Sequence, residues 1–252
     1  MKIGAIIAVN CDKDNIEYCL KGIYDFCDKV VVVYSDTTWI NEKKEDGTLE
    51  IIGRFPDPKN KLKIIKGSFN TQAGQRTVGL EYLREENYDY VFVVDSDEIY
   101  NPKSLLGVMS SIEQHKDSST FEVNWVQLWK TLDYVLNCRG LSVIYKISDD
   151  FRFPGPARQT LPKGRKSEFL SNVDCFHLSC VCSNEYMKEK LATRSYKNRV
   201  VKGWYENIWL GWTPDMKNLH PTKPKKYKKA ELFDKTGLPD FMKNHKFYGL
   251  KK

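Results

Sequence analysis

A chain of 252 residues with 41% hydrophobic and 13% aromatic residues is too apolar to be disordered, and it has room for one large α/β domain or two small ones. No run approaches the roughly 18 apolar residues of a membrane span, and the start MKIGAIIAVNCDKD lacks a cleavage-site pattern. The net charge of +7 is concentrated toward the C-terminus, which directs attention to anionic partners.

In chain order, Ile3–Val9 is the expected first strand, and Asn10, Cys11, Asp12 and Lys13 open the polar loop at its end. Asp14 or Asn15 then caps a helix whose apolar stripe is Ile16, Cys19, Leu20, Ile23 and Tyr24. Val30–Tyr34 is the second strand, ending in Ser35 and Asp36. This is a β-α-β unit of the size expected for a parallel crossover. No G-x-G-x-x-G follows the first strand, which counts against a simple dehydrogenase. The polar stretch 37–60 carries a turn at Asp46-Gly47 and a small hairpin over Thr48–Ile52, or a mobile loop. Lys63–Lys66 is a third strand and Asn70–Leu83 a helix that contains Arg76.

The stretch Tyr90–Tyr100, YVFVVDSDEIY, carries the strongest signal. Val91–Val94 is a short β-branched run that reads as a strand buried on both faces. It ends in Asp95, Ser96, Asp97 and Glu98. Carboxylates crowded at the C-terminal end of a buried strand call for a neutralising cation, and in open α/β sheets ligands bind at that end. Asp-x-Asp there suits a hard divalent ion with open positions for phosphate oxygens. Asn101-Pro102 then starts a helix with Leu105, Leu106, Met109 and Ile112, and Thr120–Trp129 alternates as a half-buried strand. Val143–Ile147 is a further strand, 151–161 an irregular Pro/Gly/Arg segment, Cys175–Val181 a late strand containing His177, and Asn184–Leu191 a helix.

Cys11, Cys19, Cys27, Cys138, Cys175, Cys180 and Cys182 are odd in number and include no C-x-x-C pair. They are expected to be reduced thiols acting as small hydrophobes in a cytosolic protein.

The order of these elements resembles the GT-A glycosyltransferases, especially compact family-2-like members of bacteria and large viruses. The resemblance is carried by IIAVNCDKD with YCLKGIYDFCDKVVVVYSD, by AGQRTVGLEYL, by YDYVFVVDSDEIY, and by FHLSCV followed by EKL. It implies an α/β fold, a Rossmann-like open mixed sheet flanked by helices, over residues 1–200, with a basic, aromatic, helical or irregular extension over 201–252. It also implies a cytoplasmic enzyme of the bacterial or virus-infected host cell. The implied reaction moves a sugar from a nucleotide-diphosphate sugar, a UDP-sugar by expectation, to a hydroxyl acceptor with inversion. Contacts to the donor are implied at Val9, Asn10, Asp12, Asp36, Arg76, Asp95 and Ser96. Two positions depart from the family pattern: the carboxylate after the second strand arrives only at Asp36, and the usual Arg-Asn is Arg76-Thr77.

Residue chemistry fits that resemblance. A divalent Mn²⁺ or Mg²⁺ held by Asp97, with Asp95 and His177, would neutralise a departing nucleotide diphosphate. Arg76 suits a phosphate or those carboxylates. Glu122 is the first candidate for a catalytic base, with Glu98 and Asp150 as rivals; Asp97 and Glu98 complete the expected catalytic group. The tryptophans of Trp204–Trp212 either stack on sugars or bases or pack on the domain. The lysines between Lys223 and Lys229 are either solvated surface or a site for a polyanionic acceptor, a nucleic acid such as hydroxylated DNA among them; a glycan is the other acceptor considered. Two other functions stay open: a nucleotidyltransferase acting on a sugar phosphate, which usually has a glycine-rich first loop, and a catalytically silent nucleotide-sugar-binding module.

Overall fold

The structure is a computed structural model that describes residues 1–38, 42–155, 158, 160–193 and 197–249, the side chains of 137–139 excepted. The Cys138 side chain and parts of 37–60, 151–161 and the C-terminal extension therefore lie outside what is described. The first half runs β1 (Ile3–Val9), α1 (Ile16–Ile23), β2 (Lys29–Ser35), α2 (Thr48–Arg54), β3 (Leu62–Gly67), α3 (Gln72–Glu85) and β4 (Tyr90–Asp95). It continues with β5 (Glu98–Tyr100), α4 (Pro102–Leu105), α5 (Val108–Gln114), β6 (Thr120–Trp129), β7 (Thr131–Lys146), β8 (Ser167–Cys180), α6 (Asn184–Thr193) and β9 (Ala230–Leu232).

All nine strands join one mixed sheet in the order β3-β2-β1-β4-β7-β6-β8-β5, with β9 paired to β7. The strands β3, β2, β1 and β4 are mutually parallel, and β7 runs antiparallel to β4 and β6. Helices cover both faces, as an open α/β sheet requires. Ile7, Val32, Phe92 and Val94 pack toward α1, whereas Ile6, Val33, Val91 and Val93 pack against Leu80 and Leu83 of α3. The run Val91–Val94 is apolar without alternation because both of its faces are covered.

Several local expectations change. Thr48–Ile52 is a helix, not a hairpin. Gly47 turns the chain at φ +89°, and Asp46 accepts from the Thr48 backbone N–H at 3.0 Å, so the predicted turn caps a helix start. The helix after Asn101 is broken at Gly107 into α4 and α5, leaving Leu106 exposed. The strand expected at Val143–Ile147 is the end of the sixteen-residue β7.

The C-terminal segment is built into the molecule. Leu238, Met242 and Phe247 join the main core, and β9 extends the sheet. His245 faces Asn15 at 3.1 Å, and burial holds its imidazole down to about 4. The close packing of α1 on β5 depends on Gly22, where a Cβ would stand 2.8 Å from the Tyr100 carbonyl oxygen.

Two measurements test this packing. Gly22→Ala must push α1 off the strand that carries Glu98, so urea unfolding should show a loss of about 1–3 kcal/mol. An unchanged midpoint would refute the tight contact. His245 stays neutral when folded but charges when unfolded below its ordinary value near 6.5. The unfolded state then binds the extra proton, so stability should be full above pH 6.5 and decline as pH falls toward 4. His245→Gln should flatten that decline in parallel denaturation curves.

Candidate active site

The C-terminal ends of β1, β2 and β4 meet at one edge of the sheet, where Ala8 lies beside Asp95 and Val9 beside Tyr34. Gln75 of α3 is buried there, donating from Nε2 to the carbonyls of Val9 (2.8 Å) and Val33 (2.5 Å). Asn10 ties the first loop to β2 through the Ser35 carbonyl at 2.7 Å. Asp36 stands at the rim, accepting from the Ser68 hydroxyl at 2.6 Å. With β1 between β2 and β4, and strands about 4.8 Å apart, Asp36 is roughly 10 Å from the β4 strand line. That span suits a nucleoside reaching a diphosphate.

The carboxylates of the anchor stretch are separated by their partners. Asp95 lies 2.5 Å from Arg76 Nη2 and 3.6 Å from Arg158 Nη2. Glu98, buried, pairs with Arg158 and accepts from the Asp95 backbone N–H at 3.0 Å. Burial raises the Asp95 carboxyl, but the two guanidinium groups outweigh it and hold the group below its ordinary range. For Glu98 burial wins, and its carboxyl is raised despite Arg158. Asp12 accepts from Ser96 Oγ and from Asn15 Nδ2, each at 2.6 Å. Burial, with Asp97 adding to it, lifts Asp12 to about 7.

Asp97 faces a different group. Its Oδ1 lies 3.4 Å from His177 Nε2, and its Oδ2 lies 3.8 Å from Lys190 Nζ on α6. His177 reaches this position because β5 pairs with β8, placing Glu98 opposite His177. Gln127 on β6 orients the ring. Its Nε2 donates to the carbonyls of Leu128 (3.0 Å) and His177 (3.2 Å), so its Oε1 must accept from His177 Nδ1–H at 2.6 Å. With Nδ1 engaged by Gln127, Nε2 is the ring nitrogen left facing the carboxylate oxygen, and in the neutral tautomer it would present its lone pair there. Two lone-pair carriers facing one another suit a shared cation, and imidazole with carboxylate is a fitting donor pair for Mn²⁺.

Among the described residues, no three His, Cys, Asp or Glu side chains form a group that would hold a metal by themselves. The three expected ligands are thus not brought together: Asp97 and His177 meet, while Asp95 is engaged by arginines. Mg²⁺ and Mn²⁺ in phosphate sites commonly rest on one or two protein ligands plus substrate oxygens and water, so the pair fits such an ion.

Glu122 is not brought to this corner. It lies opposite Phe169 on β8, whereas His177 lies opposite Gln127, five residues further along β6, or about 17 Å of strand. Its Oε1 accepts from Ser142 instead. Asp150 is exposed beside Ser148 and Arg165. Glu98 has its carboxylate held by Arg158. The tryptophan stretch is also internal: Trp204 and Trp209 are buried, and their N–H groups donate to the Leu219 carbonyl and to Asn184 at 3.0 Å each. Lys130 completes that cluster, 3.9 Å from the Trp209 ring centroid.

Residues 5–158, more than half of the chain, match glycosyl transferase family 2. The chain belongs to this family. No curated protein matches it. A Staphylococcus aureus TarS fragment, residues 1–349, is 24% identical over 51% of this chain and 36% of its own, with a TM-score of 0.42. The mannosyltransferase PcManGT from Pyrobaculum calidifontis, solved with GDP-Man and Mn²⁺, is 14% identical over 76% of this chain and 61% of its own. Its TM-score of 0.54 makes the likeness one of fold, the GT-A arrangement of a mixed sheet flanked by helices. The chain spans about a third of the TarS fragment and under two thirds of PcManGT. No helix among the described residues is long and apolar enough to cross a membrane.

Three side chains of this family 2 site escape sequence reading. Arg158 lies in an irregular segment with no periodicity to mark it. Gln127 has an ordinary place in an alternating strand. Lys190 falls within the quoted EKL, yet only the docking of α6 brings it to Asp97. Arg158 is the most consequential, because it reaches both Asp95 and Glu98. Removing it strands a buried carboxylate, so Arg158→Ala should cost about 3–5 kcal/mol in chemical denaturation. Adding Glu98→Gln should recover a large part of the loss; additive losses in the double variant would disprove the coupling.

Proposed function

We propose that the chain is a metal-dependent glycosyltransferase that moves a sugar from a nucleotide-diphosphate sugar, a UDP-sugar first among them, to a hydroxyl acceptor. The observation that carries the reading is Asp97 facing His177 Nε2 at the ligand-binding end of a family 2 sheet. Asp97 and His177 would hold a Mn²⁺ or Mg²⁺ ion, with diphosphate oxygens and water in its other positions. When bound, the ion supplies positive charge to the leaving diphosphate.

The chain's own groups do the rest of the positioning. Asn10 and Asp36 flank the end of the sheet where the nucleoside is proposed to lie, and the Asp12–Ser96 contact fixes the first loop against the acidic turn. Lys190 adds a fixed ammonium beside Asp97, held by the Ser179 carbonyl at 2.7 Å. Arg76 and Arg158 act one layer deeper by keeping Asp95 and Glu98 paired, so the turn carrying Asp97 is held without strain from its like-charged neighbours. An inverting course remains the proposed one, with an acceptor-side base other than Glu122, Glu98 or Asp150. Family membership weighs against the sugar-phosphate nucleotidyltransferase and the silent binding module.

A thermal-shift panel of nucleotide-sugars with Mn²⁺ or Mg²⁺ tests the donor, since a ligand that binds only the native state raises its stability by RT ln(1 + [L]/Kd). Asp97→Asn should reduce metal-dependent donor hydrolysis by roughly 100-fold or more, with melting changed little. Gln127→Ala should weaken Mn²⁺ affinity about 10- to 100-fold by freeing the imidazole. Full hydrolysis by folded Asp97→Asn protein would end the metal-site reading.

A further inference from the structure

The lysine run lies beside the candidate active site, although it is about a hundred residues from β6 in sequence. Lys226 Nζ lies 5.1 Å from the centroid of the Trp125 ring, and that ring lies 5.3 Å from the ring of His177. The next residue, Tyr227, is buried, and its hydroxyl is 3.4 Å from Gln127 Oε1, the same atom that accepts from His177.

This segment is held in place. The Leu219 and Asn218 backbone N–H groups donate to the carbonyls of Tyr227 (2.7 Å) and Lys228 (2.9 Å), and the chain passes directly into β9. Lys223, Lys225, Lys226 and Lys228 are exposed, while Lys229 pairs with Asp215. Among the described residues, no carboxylate lies within ion-pair distance of Lys223, Lys225 or Lys228. The backbone of this segment is thus pinned by the sheet, and the Lys226 ammonium is held over Trp125. The local field is positive enough to register on His220, whose imidazole is held down to about 4 by burial and then by Lys226 and Lys223.

We infer that the acceptor is a phosphate-bearing compound whose phosphates lie along Lys223, Lys225, Lys226 and Lys228 while its hydroxyl enters past Trp125 toward His177. This rests on the transfer reading above and names its acceptor class. Lysine ammoniums act as point charges for phosphate, and four of them within six residues of a fixed backbone form a track. The cation–π contact with Trp125 keeps the innermost ammonium at the reaction corner. The donor diphosphate has its own place at Asp97 and His177, so the track serves the other substrate.

The test is calorimetric titration of the full chain with a short inorganic polyphosphate at several salt concentrations. The same titration is run on the fourfold Lys223→Gln, Lys225→Gln, Lys226→Gln, Lys228→Gln variant. All four lysines are exposed, so the fourfold variant is expected to fold, and its melting curve checks this. Wild type should bind with a steep salt dependence. The fourfold variant should bind about tenfold or more weakly, with a log–log salt slope smaller by up to about 3. Vesicles containing phosphatidylglycerol, compared with phosphatidylcholine vesicles, form a second arm that tells soluble phosphate from a membrane headgroup. Loss of binding to either source in the fourfold variant supports the inference. Equal polyphosphate affinity in wild type and fourfold variant, or none in wild type at low salt, overturns it. Absence of donor hydrolysis by the wild type would count against the transfer reading and leave the polyphosphate result to stand on its own.

Discussion

Everything at the functional edge of this molecule depends on neutralising buried carboxylates. Asp12, Asp95, Asp97 and Glu98 crowd the end of β4, where Asp12 and Glu98 are buried and Asp95 and Asp97 are partly covered. Left unpaired, such charges cost several kcal/mol each. Arg76 enters from α3 on one face of the sheet and Arg158 from the segment after β7, and together they hold Asp95 and Glu98. The structural half of the acidic turn is thereby satisfied within the protein. Asp97 instead faces an imidazole and an ammonium, those of His177 and Lys190.

That division explains why one short motif serves two purposes. In Asp95-Ser96-Asp97-Glu98, the first and last carboxylates are internal struts, Ser96 locks the first loop through Asp12, and Asp97 faces His177 and Lys190. The imidazole opposite it is set by a chain of contacts that crosses the sheet: Tyr227 to Gln127, Gln127 to His177, His177 to Asp97. Each member comes from a different part of the sequence. The second half of the sheet and the C-terminal segment thus act as the frame that orients the imidazole toward Asp97, the pair proposed to hold a metal ion. Fixing a ligand's ring orientation through its other nitrogen is how outer groups tune such sites.

The tryptophans and lysines of the C-terminal region part company in the same way. Trp204 and Trp209 are consumed in a local core with Trp129 and Lys130, where their N–H groups find partners. The lysines that follow remain on the surface, but Tyr227 and β9 hold their backbone. Composition alone treats the two stretches as one aromatic and basic extension; packing separates buried tryptophans from exposed lysines.

Much of the first half was legible in the sequence because its signals are local. An apolar run such as Val91–Val94, closed by carboxylates, reads as a strand buried on both faces, and β4 is such a strand. The alternation of strands and helices up to Asp95 follows from periodicity, and the position of Asp97 at the ligand edge follows from strand polarity. Tertiary structure decided the rest. Glu122 sits in a well-predicted strand yet is five residues from the rung that meets His177, and no local pattern reports that register. The division of Asp95 from Asp97 depends on Arg158, a residue brought in from an irregular segment. The proximity of Lys226 to Trp125 depends on a contact across a hundred positions. A sequence shows which groups are able to do chemistry, because that is a property of side chains and short spacings. Which of them face one another is set by long-range pairing of strands, where a shift of one residue turns a side chain to the opposite face.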